Sequence, residues 1–241
     1  MTITPAPVAA ATGLSLEDFR LPAFDLYRDI HKGIRAELFA VTSFAGALDP
    51  ADTVSWIAFA EHVGAVERTL NGHAHHEDSF IDPVLREHLP DLAERVVHDH
   101  GQLDASFAGI ADVARAGADA PAAERRRVAQ LAYLQLASFT SSYLAHQALE
   151  EVQVSPALER AIGPDEMVAI HMAIVGSIPP QEMAQSLTMM LPAMNIDDRT
   201  GVLGGIQAGA PAEVFAGVLG LAGTVLSPPD FEALSVRLGV A

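Results

Sequence analysis

Apolar positions spaced three and four apart are the most regular feature of this chain. Trp56, Phe59, Val63 and Val66 share one face if residues 51–89 form a helix. The same period runs through residues 23–48, which end at "DP". It runs again through residues 90–116, where Pro90 suits a first helical position, and through residues 121–160, opened by Pro121. Gly72 and Pro83 read as weak or kinked points inside the second segment. Four long helices with short links predict an all-α fold, an up-down-up-down four-helix bundle.

From "GPDE" onward the texture changes. Short helical patterns alternate with "IPP", "NIDD", "GAP" and "SPPD", which predicts a C-terminal appendage of small helices. The expected organisation is a flexible N-terminus over residues 1–20, the bundle over 21–163 and the extension over 164–241. No internal repeat stands out.

Composition narrows the function classes. The 241 residues are half apolar, enough for a sizeable core. A formal net charge of −17 with 14 Lys and Arg argues against a nucleic-acid partner. The absence of cysteine excludes disulfides, thiolate metal sites and thiol catalysis. The first residues lack a basic start and a continuous apolar stretch, so no signal peptide is read. "VFAGVLGLAGTVL" is too short and Gly-rich for a membrane span, so the expectation is a soluble, cytoplasmic protein with no membrane partner.

Histidine and carboxylate spacing then suggests chemistry. Residues four apart on a helix lie on one face, so such a pair can reach one ion or two adjacent ones. His73–Glu77, His100–Asp104 and His146–Glu150 have this spacing, one pair on each of the second, third and fourth helices. The ten histidines and 31 acidic residues would give about one such pair by chance. The first helix adds His31, between Ile30 and Ile34. Leu103 and Phe107 lie near His100, and Phe139 and Leu149 near His146. Histidines on apolar faces either pair with something buried or bind a metal. Four of them, one per helix, would converge on one interior point. Imidazole with carboxylate suits iron, zinc or manganese, and bridging carboxylates suit a pair of ions. The ferritin-like alternative uses Glu-x-x-His with carboxylates in the majority, and fits less well.

"DIHKGIRAEL", "HAHHEDSFIDPVL", "HDHGQLD" and "YLAHQALEEVQVSPAL" resemble, in order, the four helical signatures of hemerythrin-like HHE cation-binding proteins. The resemblance covers about residues 25–160. It implies a non-haem di-iron centre with His31, His73, Glu77, His100, His146 and Glu150 as ligands, the two Glu bridging. It also implies a small reactant at an open position: dioxygen, nitric oxide or hydrogen peroxide. The stretch from "SIPPQEM" to "GAPAEVF" is similar to an extension found after some HHE domains. Oxygen-carrying hemerythrins place a second histidine four residues after the third-helix ligand. This chain has Asp104 there, so Asp104 is a candidate ligand and reversible dioxygen carriage is not the expected activity.

Competing readings accompany each residue. His75, His76 and Glu151 are expected outside the ligand set. Tyr27 and Tyr143 lie about one turn from His31 and His146, as core tyrosines or as neighbours of the metal pocket. His62, His88, His98 and His171 read as surface or satisfied core, and "TMMLPAM" as core packing. Whether the chain turns over a substrate, senses iron or oxygen, or holds a structural zinc is left open by the sequence.

Overall fold

The computed structural model describes residues 21–240. The expectation of a flexible stretch over residues 1–20 lies outside them. Among the described residues there are helices and no strands, so the fold is all-α. None of these helices is long and apolar enough to cross a membrane. The chain divides into two compact units, one of residues 21–27 and 38–174, the other of residues 28–37 and 175–240.

The first helix, α1 (Arg28–Ala47), starts five residues later than its apolar period suggests. The Asp25 carboxylate accepts a hydrogen bond from the Tyr27 amide at 3.0 Å, holding a turn where the helix would otherwise begin. In the first unit the second segment is α2 (Thr53–His76), opened by Asp52, whose side chain accepts from the Val54 amide at 2.9 Å. Gly72 does not interrupt it. A five-residue π-helical turn (Glu77–Ile81) follows and leads into α3 (Asp82–His88). α4 (Pro90–Asp119) opens on Pro90 as expected. α5 (Ala122–Leu149) runs into a second π-helical turn (Glu150–Val154) and then α6 (Ser155–Ile162). Gly163, at φ 84°, ends α6 in a conformation open to glycine, and α7 (Pro164–Ser177) starts behind it.

The two π-helical turns are a repeat that the sequence reading missed. Each starts at a Glu four residues after a His, and each precedes a Pro: His73, Glu77 and Pro83, then His146, Glu150 and Pro156. Proline has no N–H for the carbonyl four residues back, and its ring crowds that carbonyl. The chain answers with one wider turn in each place. The Asp82 amide bonds to the Glu77 carbonyl and the Ser155 amide to that of Glu150, each five residues back.

Packing follows the predicted stripe. Trp56, Phe59, Val63, Val66 and Leu70 are all buried along α2. α2 and α5 both pack along α4. Trp56 lies so close to Gly117 of α4 that a Cβ there would come within 2.1 Å of the indole ring. Phe107 of α4 meets Phe139 of α5 edge-on at 4.8 Å. Beyond the π-helical turns, Ile81, Leu85, Val96, Val154, Leu158 and Met167 close a second apolar cluster.

In the second unit α8 (Pro180–Ala193), α9 (Ile196–Gly209), α10 (Ala212–Val225) and α11 (Pro228–Leu238) surround Leu187, Leu191, Met194, Leu203, Leu226 and Leu234. Met194 is buried and Met190 packs against this cluster, as read from "TMMLPAM". Buried Arg199 donates to the Leu191 carbonyl at 2.8 Å, supplying a donor to the last turn of α8. Residues 28–37 of α1 are held in this unit by Asp198, which accepts from Lys32 and lies 3.3 Å from Arg28.

Candidate metal centre

Four of the elements just described bring four ionisable side chains to one buried place. Glu77 comes from the first π-helical turn, His100 from α4, and His146 and Glu150 from either side of the α5 end. Each offers one ligand atom, and the four atoms lie within 4.8 Å of one another. Glu150 is 1% exposed and none of the four exceeds 7%. Two carboxylates buried together without positive charge would cost several kcal/mol each.

The pairing is ordered. The two oxygens of Glu77 face two different imidazoles, with Oε1 3.1 Å from His73 Nε2 and Oε2 3.1 Å from His100 Nε2. Glu150 Oε1 lies 3.1 Å from His146 Nε2 and 3.7 Å from His100 Nε2. All three imidazoles therefore turn Nε2 towards a glutamate. The buried Nε2 of His100 nevertheless makes no well-aligned hydrogen bond. Ligands about 2.1 Å from a common ion at right angles stand about 3.0 Å apart. The 3.1 Å contacts thus have the length of edges of a coordination shell, and the donor set of imidazoles and carboxylates fits iron, zinc or manganese.

The outer nitrogens are also placed. His100 Nδ1 is 3.0 Å from Asp78 Oδ1, and His146 Nδ1 is 3.7 Å from Asp99 Oδ2. The sequence reading gave neither aspartate a role. Each adjoins a residue it did pick, Asp78 after Glu77 and Asp99 before His100, and that adjacency was the available signal.

Electrostatics follow from this crowding. Burial alone would lower the His100 pKa, but Glu150 and Glu77 overturn that and push it up to about 11. For His146 burial again works downward, while Asp99 and Glu150 push the pKa up to about 9. Tyr27 and Tyr143 are buried, and burial followed by the charges of Glu150 and Glu77 holds both phenols well above the ordinary range. Both are core tyrosines and both feel the site.

The other expected residues are easily placed. His73 is buried at its side chain and paired with Glu77. His31 is buried, 0% exposed, on the part of α1 that groups with the second unit. Asp104 is exposed, one turn beyond His100, and is not among the four clustered atoms. It lines a small cavity of about 10 Å³ with His100, Tyr143, Asn71, Phe107 and Phe139. A space of that size holds about one water molecule. His75, His88 and His98 are exposed, and His171 meets Phe24 edge-on at 5.0 Å.

The family described as Hemerythrin HHE cation binding domain matches the chain over residues 23–175. No curated protein and no solved structure matches it significantly.

Proposed function

The chain belongs to the hemerythrin HHE cation-binding family, and on that premise we propose that it holds a non-haem di-iron centre that reacts with or senses a small diatomic molecule or peroxide. The observation that carries this reading is the position of Glu77, whose two oxygens each face a different histidine at 3.1 Å. A carboxylate so placed is suited to bridge two ions. His100, His146 and Glu150 would hold one ion, with Glu77 shared. His73 would hold the other, and the family signature alone makes His31 of the first helix a further candidate ligand. The four long helical segments would act as an up-down-up-down bundle around them.

Such a centre, when bound, supplies electrons to dioxygen, nitric oxide or hydrogen peroxide. The protein's own residues do the rest. Phe107, Phe139 and Leu103 give the small cavity beside His100 apolar groups on its wall. Tyr143 and Asn71 place polar groups on that wall. Asp104 adds a negative charge at the cavity where oxygen carriers have a second histidine. If that carboxylate closes on an ion it favours the ferric state, so the proposed activity is peroxide or nitric oxide chemistry, or sensing, and not oxygen storage.

Four buried ligand atoms in one cluster also form a complete shell for a tetrahedral zinc ion, and this is the competing reading. One experiment separates them. The protein is loaded with iron(II) without air, exposed to dioxygen, nitric oxide or peroxide in turn, then evacuated, with spectra taken throughout. The proposal expects a near-ultraviolet and visible change with each, not reversed by evacuation after dioxygen. Full reversal would mean oxygen carriage, and no change at all would leave a structural metal.

A further inference from the structure

We infer that Asp78 is a positioning residue that grips His100 from behind and fixes which of its nitrogens faces the metal. The inference rests on the proposed metal centre. Asp78 and its neighbour Glu77 hold opposite edges of one ring: Asp78 Oδ1 is 3.0 Å from Nδ1 and Glu77 Oε2 is 3.1 Å from Nε2. An imidazole whose Nδ1 carries the hydrogen, donated to a carboxylate, must offer the lone pair at Nε2. Nε2 is the nitrogen that faces the buried cluster. The carboxylate behind the ring also makes it a stronger donor to a cation, a recurring feature of metal-bound histidine.

The local backbone explains why a consecutive pair can do this. Neighbours on a helix point about 100° apart, so Glu77 and Asp78 diverge around whatever lies against them. Here the π-helical turn begins at Glu77, and the ring of His100 on α4 sits between the two side chains. Glu77 is buried and Asp78 is half exposed. The exposed carboxylate therefore needs no cation to offset burial and is free to serve as an acceptor. Asp99 stands behind His146 in the same sense but at 3.7 Å, beyond a direct hydrogen bond. The two aspartates are thus ranked by distance, Asp78 ahead of Asp99.

The test compares Asp78→Ala, Asp78→Asn and Asp99→Ala with the unaltered protein, and uses Asp91→Asn, an exposed residue on the first turn of α4, as the control for lost charge. Affinity is measured by competition with a chelator, using iron(II) without air and zinc(II) separately. Imidazole nitrogen resonances are recorded on the zinc-loaded, diamagnetic protein. Asp78→Ala should weaken binding about 10–100-fold and shift or lose the His100 Nδ1–H signal. Asp78→Asn keeps an oxygen that can accept, so it should preserve that signal and restore part of the affinity. Asp99→Ala should cost less than Asp78→Ala, and Asp91→Asn should change nothing. Melting curves confirm that each variant is folded. If Asp78→Ala binds as tightly as the control and keeps the His100 signal, the inference is wrong while the metal centre stands. If the unaltered protein binds neither iron nor zinc, the metal centre and this inference fall together.

Discussion

At the scale of single residues, the site is a place where protons and a metal ion compete. His100 and His146, with pKa values pushed up to about 11 and 9, carry protons near pH 7 when no ion is present. Both values lie above the ordinary 6.5 of histidine. Their protonation therefore stabilises the ion-free fold below about pH 6.5, and that contribution is lost as pH rises through 9 and then 11. A metal ligand must be neutral, so an ion has to expel these protons. Binding near pH 7.5 should release about two protons per chain, and affinity should rise with pH up to about 9–11. Calorimetry in two buffers of different ionisation enthalpy measures this. Binding heats that do not depend on the buffer would show that the imidazoles are already neutral. The His–Glu pairs were legible because a spacing of four is a fixed property of a helix. Asp78 and Asp99 were not, because each acts on a histidine of another helix, and no spacing within one segment encodes that contact.

At the scale of elements, the same ten-residue step from histidine to proline is used twice, and twice it builds a π-helical turn that starts at a candidate ligand glutamate. The sequence marked Pro83 as a kink but could not say how the chain would absorb it. Whether a proline breaks, bends or widens a helix depends on what packs around it. Here Leu85 and Leu158 lie two residues beyond the prolines and are buried in one cluster, which keeps both helices going. The Trp56 stripe was readable from its period, whereas its dependence on Gly117, 61 positions further on, was not. Gly117→Ala would place a Cβ 2.1 Å from a ring that is itself 0% exposed. It should destabilise the protein by about 1–3 kcal/mol or more, read from the denaturant midpoint. An unchanged midpoint would mean that α2 and α4 separate easily at this end.

At the scale of the whole molecule, the all-α class followed from four long apolar periods, and the buried cluster of His100, His146, Glu77 and Glu150 from the spacing of histidines and glutamates along them. A C-terminal helical unit was expected, but the grouping of residues 28–37 with it was not. Residues 28–37 of α1 group with the C-terminal helices because Asp198 binds Lys32 and lies beside Arg28, and because Met189 packs against Gly33. None of these pairings has a local signal. An ion that binds only the folded chain predicts a second bulk property, a loss of stability when metal is removed. An ion present at 100 times its Kd adds about 2.7 kcal/mol, which for a protein of this size raises the melting temperature by about 5–10 °C. Superimposable melting curves with and without chelator would contradict this. The central claim is a pair of iron ions sharing Glu77, and stoichiometry tests it most directly. The protein is loaded with excess iron(II) without air, desalted and analysed for metal and protein together. The account predicts about two iron ions per chain, falling sharply in His73→Ala and His146→Ala and unchanged in His88→Ala. One ion or none in the unaltered chain, or equal iron in all three variants, would contradict it.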